Sequence, residues 1–264
     1  MNKLIFIFSL TIFLENYLYS EDIKEEFVKK GWEYGLKQIK TAKVSYEIKS
    51  SNIKGVRKCL WQYKDRKERL DVEFLDENGE IEKKVCYIGK EMKTIIFSYE
   101  NNNSIKGVSI LPGYAYFSTY LTPSTALFDI PSFIFPIEEL IKKSYIAEIT
   151  SSYAKLEYTL FAGKDKISWE IFLSLKHFLP EKIIVRCSAN MSTYIIDYIE
   201  MDKILFPKKI RQIIKWEDGK LLDSTITYQY IEVNKEISDE IFMPEFPKGT
   251  MVSDMTTGIT YEIK

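Results

Sequence analysis

Between Val44 and Tyr99, large apolar side chains occupy alternate positions with charged residues between them. Alternation of this kind marks an antiparallel sheet with one dry face and one solvated face. Residues 43–50 place Val44, Tyr46 and Ile48 on one face, and residues 57–64 do the same with Cys59, Trp61 and Tyr63. Residues 67–75 turn Leu70, Val72 and Phe74 inward against Arg69, Asp71 and Glu73 outward. Asn78 and Gly79 both tolerate positive φ, so residues 76–80 read as a tight hairpin. Residues 81–88 and 92–99 continue the pattern, with Ile95, Phe97 and Tyr99 sharing a face. The first meander is expected over 43–111.

The alternation resumes at Tyr153 and defines a second meander over 153–264. Leu156, Tyr158 and Leu160 share a face, as do Ile167, Trp169, Ile171 and Leu173, with a turn at 163–165. Four further strands follow at 181–187, 193–201, 208–216 and 222–233. Nothing between the meanders is a linker rich in Gly or Ser, so residues 21–264 are expected to form a single, mainly β domain around one strongly curved sheet. Residues 21–40 repeat apolar side chains at helical spacing and predict a helix packed on that sheet.

Residues 111–146 stand apart. The stretch 111–136 has no Lys, Arg or Glu and holds Pro112, Pro123, Pro131 and Pro136, half of the chain's 8 prolines. Prolines at that density exclude a long helix or a central strand. The segment is either an irregular connection over the core or an aromatic lid formed by Tyr116, Phe117, Tyr120, Phe128 and Phe133. Residues 137–146 predict a short helix, with acids in its first turn and lysines in its last to suit the dipole.

The chain starts with Asn2-Lys3, then an apolar run over 4–14 and a polar stretch over 15–20. That order predicts a secretory signal peptide over 1–20, too short to span a bilayer comfortably; a retained N-terminal anchor is the alternative. Lys plus Arg (37) balances Asp plus Glu (38), which argues against a nucleic-acid partner. The odd cysteine count (Cys59, Cys86, Cys187) leaves at least one free thiol or a pairing between chains. Cys59 and Cys86 fall two strands apart, about 10 Å, too far for a disulfide.

Catalytic inventory is thin. His177 is the only histidine and sits beside a turn, where an exposed position is expected; a metal site built on histidines is excluded. Carboxylates such as Asp71 and Glu73 belong to the solvated face, and the 11 glycines are scattered. Neither an enzyme nor a cofactor is expected.

The closing passage carries a family resemblance. Val233-Asn234-Lys235-Glu236-Ile237, then residues 240–254 (EIFMPEFPKGTMVSD) and Tyr261 resemble the ending of LolA-like periplasmic proteins, the outer-membrane lipoprotein-sorting superfamily. Those domains often close with "v-N-x-x-i-x-d-x-x-F", "P-x-G-x-x-V-x-D" and a final tyrosine. The resemblance implies an unclosed β-barrel of ten or eleven strands, with helices across the open side and a concave apolar face that takes acyl chains. It implies a periplasmic carrier or chaperone for lipid or lipoprotein acyl chains in outer-membrane biogenesis, working with an inner- or outer-membrane protein. The residues expected to line the cavity are Trp61, Tyr63, Leu70, Phe74, Tyr87, Phe97, Trp169 and Ile171; plain core packing is the alternative. The rival functions are a sensor or regulatory module binding a partner protein, and a structural envelope protein with a filled core.

Overall fold

The computed structural model describes residues 23–26, 39–65, 67–90, 93–99, 104–112, 137–201, 203–243 and 245–264. One sheet carries all the described strands. The first meander comprises β1 (Thr41–Ser50), β2 (Ile53–Lys64), β3 (Lys67–Leu75), β4 (Ile81–Lys90), β5 (Lys93–Tyr99) and β6 (Ile105–Pro112). The short helix α1 (Ile137–Lys143) precedes the second meander: β7 (Tyr145–Ile149), β8 (Tyr153–Ala162), β9 (Asp165–Ser174), β10 (Pro180–Arg186), β11 (Asn190–Met201), β12 (Ile204–Trp216) and β13 (Leu221–Val233). Two small strands, β14 (Met251–Asp254) and β15 (Ile259–Glu262), end the series.

The strand order is β15-β14-β6-β5-β4-β3-β2-β1-β13-β12-β11-β10-β9-β8-β7. Each meander fans out from a central antiparallel seam in which Tyr46 faces Tyr228 and Ile48 faces Ile226. The order does not close on itself, so β7 and β15 remain free edges of a strongly curved, unclosed sheet. Apolar alternation produces this because β1–β5 and β7–β13 each offer one face to the same interior, while β6 and β14 pack in a second cluster.

Two expectations need correction. The sheet has 15 strands among the described residues instead of ten or eleven. The additional ones are β6, β7, which takes over where the helix expected to run to 146 stops at Lys143, and β14 and β15, which lie inside the closing passage. Nor do helices cover the open side among the described residues. Residues 23–26 are helical, residues 39 and 40 are not, and the rest of the helix expected over 21–40 lies outside the described residues. Ile23, Leu140 and Ile141 reach the main core cluster, which is the described helical contribution to it. The expected signal peptide over 1–20 also lies outside the described residues. No described helix is long and apolar enough to cross a membrane.

After β13 the chain becomes a strap over the outer surface of the first meander. Asn234 starts it at φ 54°, with its side-chain Oδ1 accepting from the backbone N–H of Lys40 at 2.8 Å. Lys64 Nζ donates to the Ile237 carbonyl at 2.8 Å, and Arg69 Nη1 donates to the Ile241 carbonyl at 3.1 Å. Between them, Asp239 pairs with Lys67 at 2.7 Å and Lys64 at 3.1 Å. Phe242 is buried, and Phe246 then meets Phe97 with ring centroids 5.8 Å apart. The strap delivers β14 to β6 in parallel, Val252 beside Val108.

The two lysines, Lys67 foremost, hold the Asp239 carboxyl below its ordinary value of 3.8. A depressed carboxylate stabilises the fold above its unfolded pKa, and that contribution is lost as pH falls through the folded value. Asp239→Asn should therefore lower the urea midpoint at neutral pH and flatten its decline on the acid side, read from urea melts across pH. A second weak point is Gly55, at φ 79°, where an added Cβ would sit 1.9 Å from the Leu75 carbonyl oxygen. Gly55→Ala combines a left-handed backbone with a backbone clash and should cost about 2 kcal/mol or more in urea unfolding.

Candidate apolar ligand face

The register sets the concave face row by row. Ile48, Arg57, Phe74 and Lys83 stand opposite one another across β1–β4. The next row is Tyr46, Cys59, Val72 and Val85, followed by Val44, Trp61, Leu70 and Tyr87, and then by Ala42, Tyr63, Glu68 and Gly89. Across the seam the surface continues through Ile226 and Ile210 to Ile196, and further through Tyr194 and Ile183 to Ile171 and Leu156. All these apolar rows belong to one core cluster, with Tyr63 and Phe74 packed partly buried against it.

Aromatic contacts thicken it. Tyr46 and Tyr228 lie 5.3 Å apart, Phe206 stands edge-on to Tyr228 at 6.3 Å, Trp61 stacks on Tyr63 at 5.6 Å, and Tyr158 leans on Trp169 at 5.6 Å. The Trp61 indole N–H donates to Glu68 Oε2 at 2.9 Å, which satisfies the polar atom of a ring with no exposed surface. Burial pushes the Tyr46, Tyr198 and Tyr228 hydroxyls well above the ordinary tyrosine range, so these three hydroxyls stay protonated at neutral pH.

Of the residues expected to line a cavity, Trp61, Leu70, Tyr87, Trp169 and Ile171 come together in this cluster, with Tyr63 and Phe74 at its margin. Phe97 does not join them. Phe97 pairs with Cys86 while its neighbour Ile96 pairs with Tyr87, so Phe97 points to the opposite face. There it joins Cys86, Ile88, Val108 and Val252 in a second cluster, against which Phe246 packs. The expected lid residues Tyr116, Phe117, Tyr120, Phe128 and Phe133 lie outside the described residues.

This second cluster escaped the alternation argument, although a signal for it was present. Val85-Cys86-Tyr87-Ile88 and Ile95-Ile96-Phe97 are apolar without a break, the mark of strands covered on both faces. The same reasoning passed over the Arg57–Phe74–Lys83 row, because single cations on a strand read as solvent-facing until their register is known.

Nothing described resembles a reaction centre. His177 lies in its turn but is tucked in instead of exposed: its ring is 5.3 Å from Tyr198, Nε2 pairs with Glu181 at 3.1 Å, and Nδ1 is buried without a hydrogen-bond partner. Burial lowers its pKa, with Glu181 opposing. No cluster of three or more His, Cys, Asp or Glu is placed to hold a metal among the described residues. An open groove of about 590 Å³ at the β1–β3 end is lined by Glu47, Lys49, Lys58 and Glu77, a polar setting unlike an acyl site.

No protein-family model matches the chain, and no curated protein matches it in sequence. Among solved structures, a DUF1329 family protein from Desulfovibrio piger is 8% identical and aligns over 85% of this chain and 97% of its own at a TM-score of 0.46. A LolA superfamily protein from Nitrosomonas europaea is 11% identical, over 85% and 97% of the two chains, at a TM-score of 0.42. A LolA superfamily protein is thus among the structural neighbours. No residue role is carried across from either neighbour.

The cysteines report on both faces. All three are unbridged; Cys59 is buried on the concave side, Cys86 on the strap side, and Cys187 is half-buried. Burial pushes the Cys59 thiol up to about 12 and raises Cys86 too, with Asp71 adding to the shift. Titration with a thiol reagent at pH 8 should modify Cys187 alone in the native protein and all three thiols in denaturant.

Proposed function

We propose that this chain is an exported, non-enzymatic carrier or chaperone whose concave face takes the acyl chains of a lipid or lipoprotein in the periplasm. The observation that supports this reading is the single continuous apolar surface running across both meanders on one side of an unclosed sheet. Among the described residues that surface faces no partner sheet, and a flexible hydrocarbon chain can pack on it without directional chemistry. Each buried methylene contributes about 0.8 kcal/mol, so part of one chain gives useful affinity. The uncharged tyrosine and cysteine groups of the face suit that role. A signal peptide over 1–20 and an inner- or outer-membrane partner that loads or unloads the cargo complete the proposal.

The test is extraction of the purified protein followed by mass spectrometry, with stoichiometric phospholipid or acylated peptide expected. Protein that is lipid-free and retains a membrane protein in pull-down would instead support a sensor. Protein that is lipid-free and retains nothing would support a filled structural core. Phe97→Ala separates the two faces: it should cost about 3 kcal/mol of stability while leaving lipid retention unchanged, because Phe97 packs under the strap.

A further inference from the structure

The hairpins β8–β9, β10–β11 and β12–β13 turn at one end of the second meander and stand side by side in the strand order. Hydrogen bonds tie the three tips into one ridge. Ser188 Oγ donates to Asp165 Oδ1 at 3.1 Å, and the Glu217 N–H donates to the Ala189 carbonyl at 3.3 Å. Phe161, the last large side chain before the β8–β9 turn, is 71% exposed, the highest value among the described large hydrophobics. Leu221 opens β13 on the same ridge and is 51% exposed. Lys166 stands opposite Phe161 in the register, Lys215 stands opposite Leu221, and Lys164 lies in the β8–β9 turn. None of these three lysines has an ion pair among the described residues. The opposite end of the meander is built differently: in the β9–β10 turn, Leu179 is buried and Phe178 packs partly buried against the main cluster.

We propose that this ridge is a membrane-contact edge, with Phe161 and Leu221 entering the headgroup region of a bilayer while Lys164, Lys166 and Lys215 meet anionic lipid headgroups. The inference goes beyond the carrier reading and does not depend on what the concave face holds. A large apolar side chain at a hairpin tip reaches a bilayer without any unfolding of the strands behind it, and its burial there adds to the attraction between lysines and an anionic leaflet. The hydrogen bonds between the tips hold the two anchors on one rigid edge, so little ordering is needed at contact. Phe161 and Leu221 are five strand spacings apart, about 24 Å along the sheet, which fixes an orientation as a single anchor does not. The acids of the ridge are mostly engaged: Asp165 accepts from Ser188, and Asp218 pairs with Lys220 at 2.7 Å, leaving Glu217 to oppose the three lysines. The β3–β4 tip at the same end carries Asp76, Glu77 and Glu80 against Lys54, which pairs with Glu77. An anionic surface repels that tip and tilts the contact toward the second meander.

Flotation of the full-length protein with vesicles of phosphatidylethanolamine and phosphatidylglycerol, compared with vesicles of phosphatidylcholine alone, tests the edge. The protein should partition more strongly onto the anionic vesicles at low salt, and added salt should shrink the difference. Phe161→Ser and Leu221→Ser should each lower partitioning onto both kinds of vesicle about fivefold. Their melting temperatures should not change, because both side chains are exposed. Lys164→Gln combined with Lys166→Gln should remove most of the preference for anionic lipid. Lys176→Gln, at an exposed lysine of the opposite end, should alter neither property. Equal partitioning onto the two kinds of vesicle would overturn the part given to the lysines. Partitioning that survives the Phe161 and Leu221 substitutions, or that falls equally with Lys176→Gln, would overturn the assignment to this ridge. Failure of the unaltered protein to float with either vesicle would overturn the membrane contact itself, while the carrier reading stands or falls on retained lipid.

Discussion

The seam between β1 and β13 holds the molecule together as one object. It joins residues such as Ser50 and Ser224, whose hydroxyls meet at 2.7 Å across a sequence separation of 174 residues. Either meander alone is a set of hairpins with local contacts and one apolar face. Joined through Tyr46–Tyr228 and Ile48–Ile226, the two faces become a single curved surface. The entropic cost of closing so long a loop grows only logarithmically with its length, so the apolar burial gained along the seam offsets it. The same long-range pairing makes the topology slow to form, as sheets built from distant strands are.

Once the seam is in place, the two walls differ in construction. The second meander has a dry inner face and an outer face laced with ion pairs, such as the half-buried Lys155–Glu157 and the more exposed Arg211–Asp223. Pairs of this kind keep a surface soluble and contribute little stability. The first meander carries a further apolar layer outside, built from Cys86, Ile88, Phe97, Val108 and Val252 and crossed by the strap. Lys64, Lys67 and Arg69 therefore act as fasteners for the strap and not as a basic patch awaiting a partner.

Much of this was legible in the alternation of apolar residues. The strands around Val44, Trp61, Leu70 and Trp169 follow directly from a period of two, and so does the assignment of Cys59 and Cys86 to opposite faces. The sheet's extent was not legible, because β7, β14 and β15 are too short to show a period and β6 breaks its alternation at Gly107. Phe97 shows the other limit. Alternation groups Ile95, Phe97 and Tyr99 on one face but cannot say which face is the interior when Ile96 is apolar too; only the register with Tyr87 decides it. Arg57 and Lys83 flank Phe74 only through the register, a relation between three strands that no local pattern encodes.

The strap also has a mechanical consequence. A wall that carries a second layer behaves like a laminate, whose stiffness far exceeds that of either layer, whereas a single pleated layer bends easily about its strand direction. Strain applied from inside the curved sheet is therefore absorbed on the β8–β12 side, while β2–β5 act as the rigid frame. The fixed charges at Arg57, Lys83 and Glu68 all lie on that frame. Changes in the sheet's girth thus leave the spacing of these charges nearly constant.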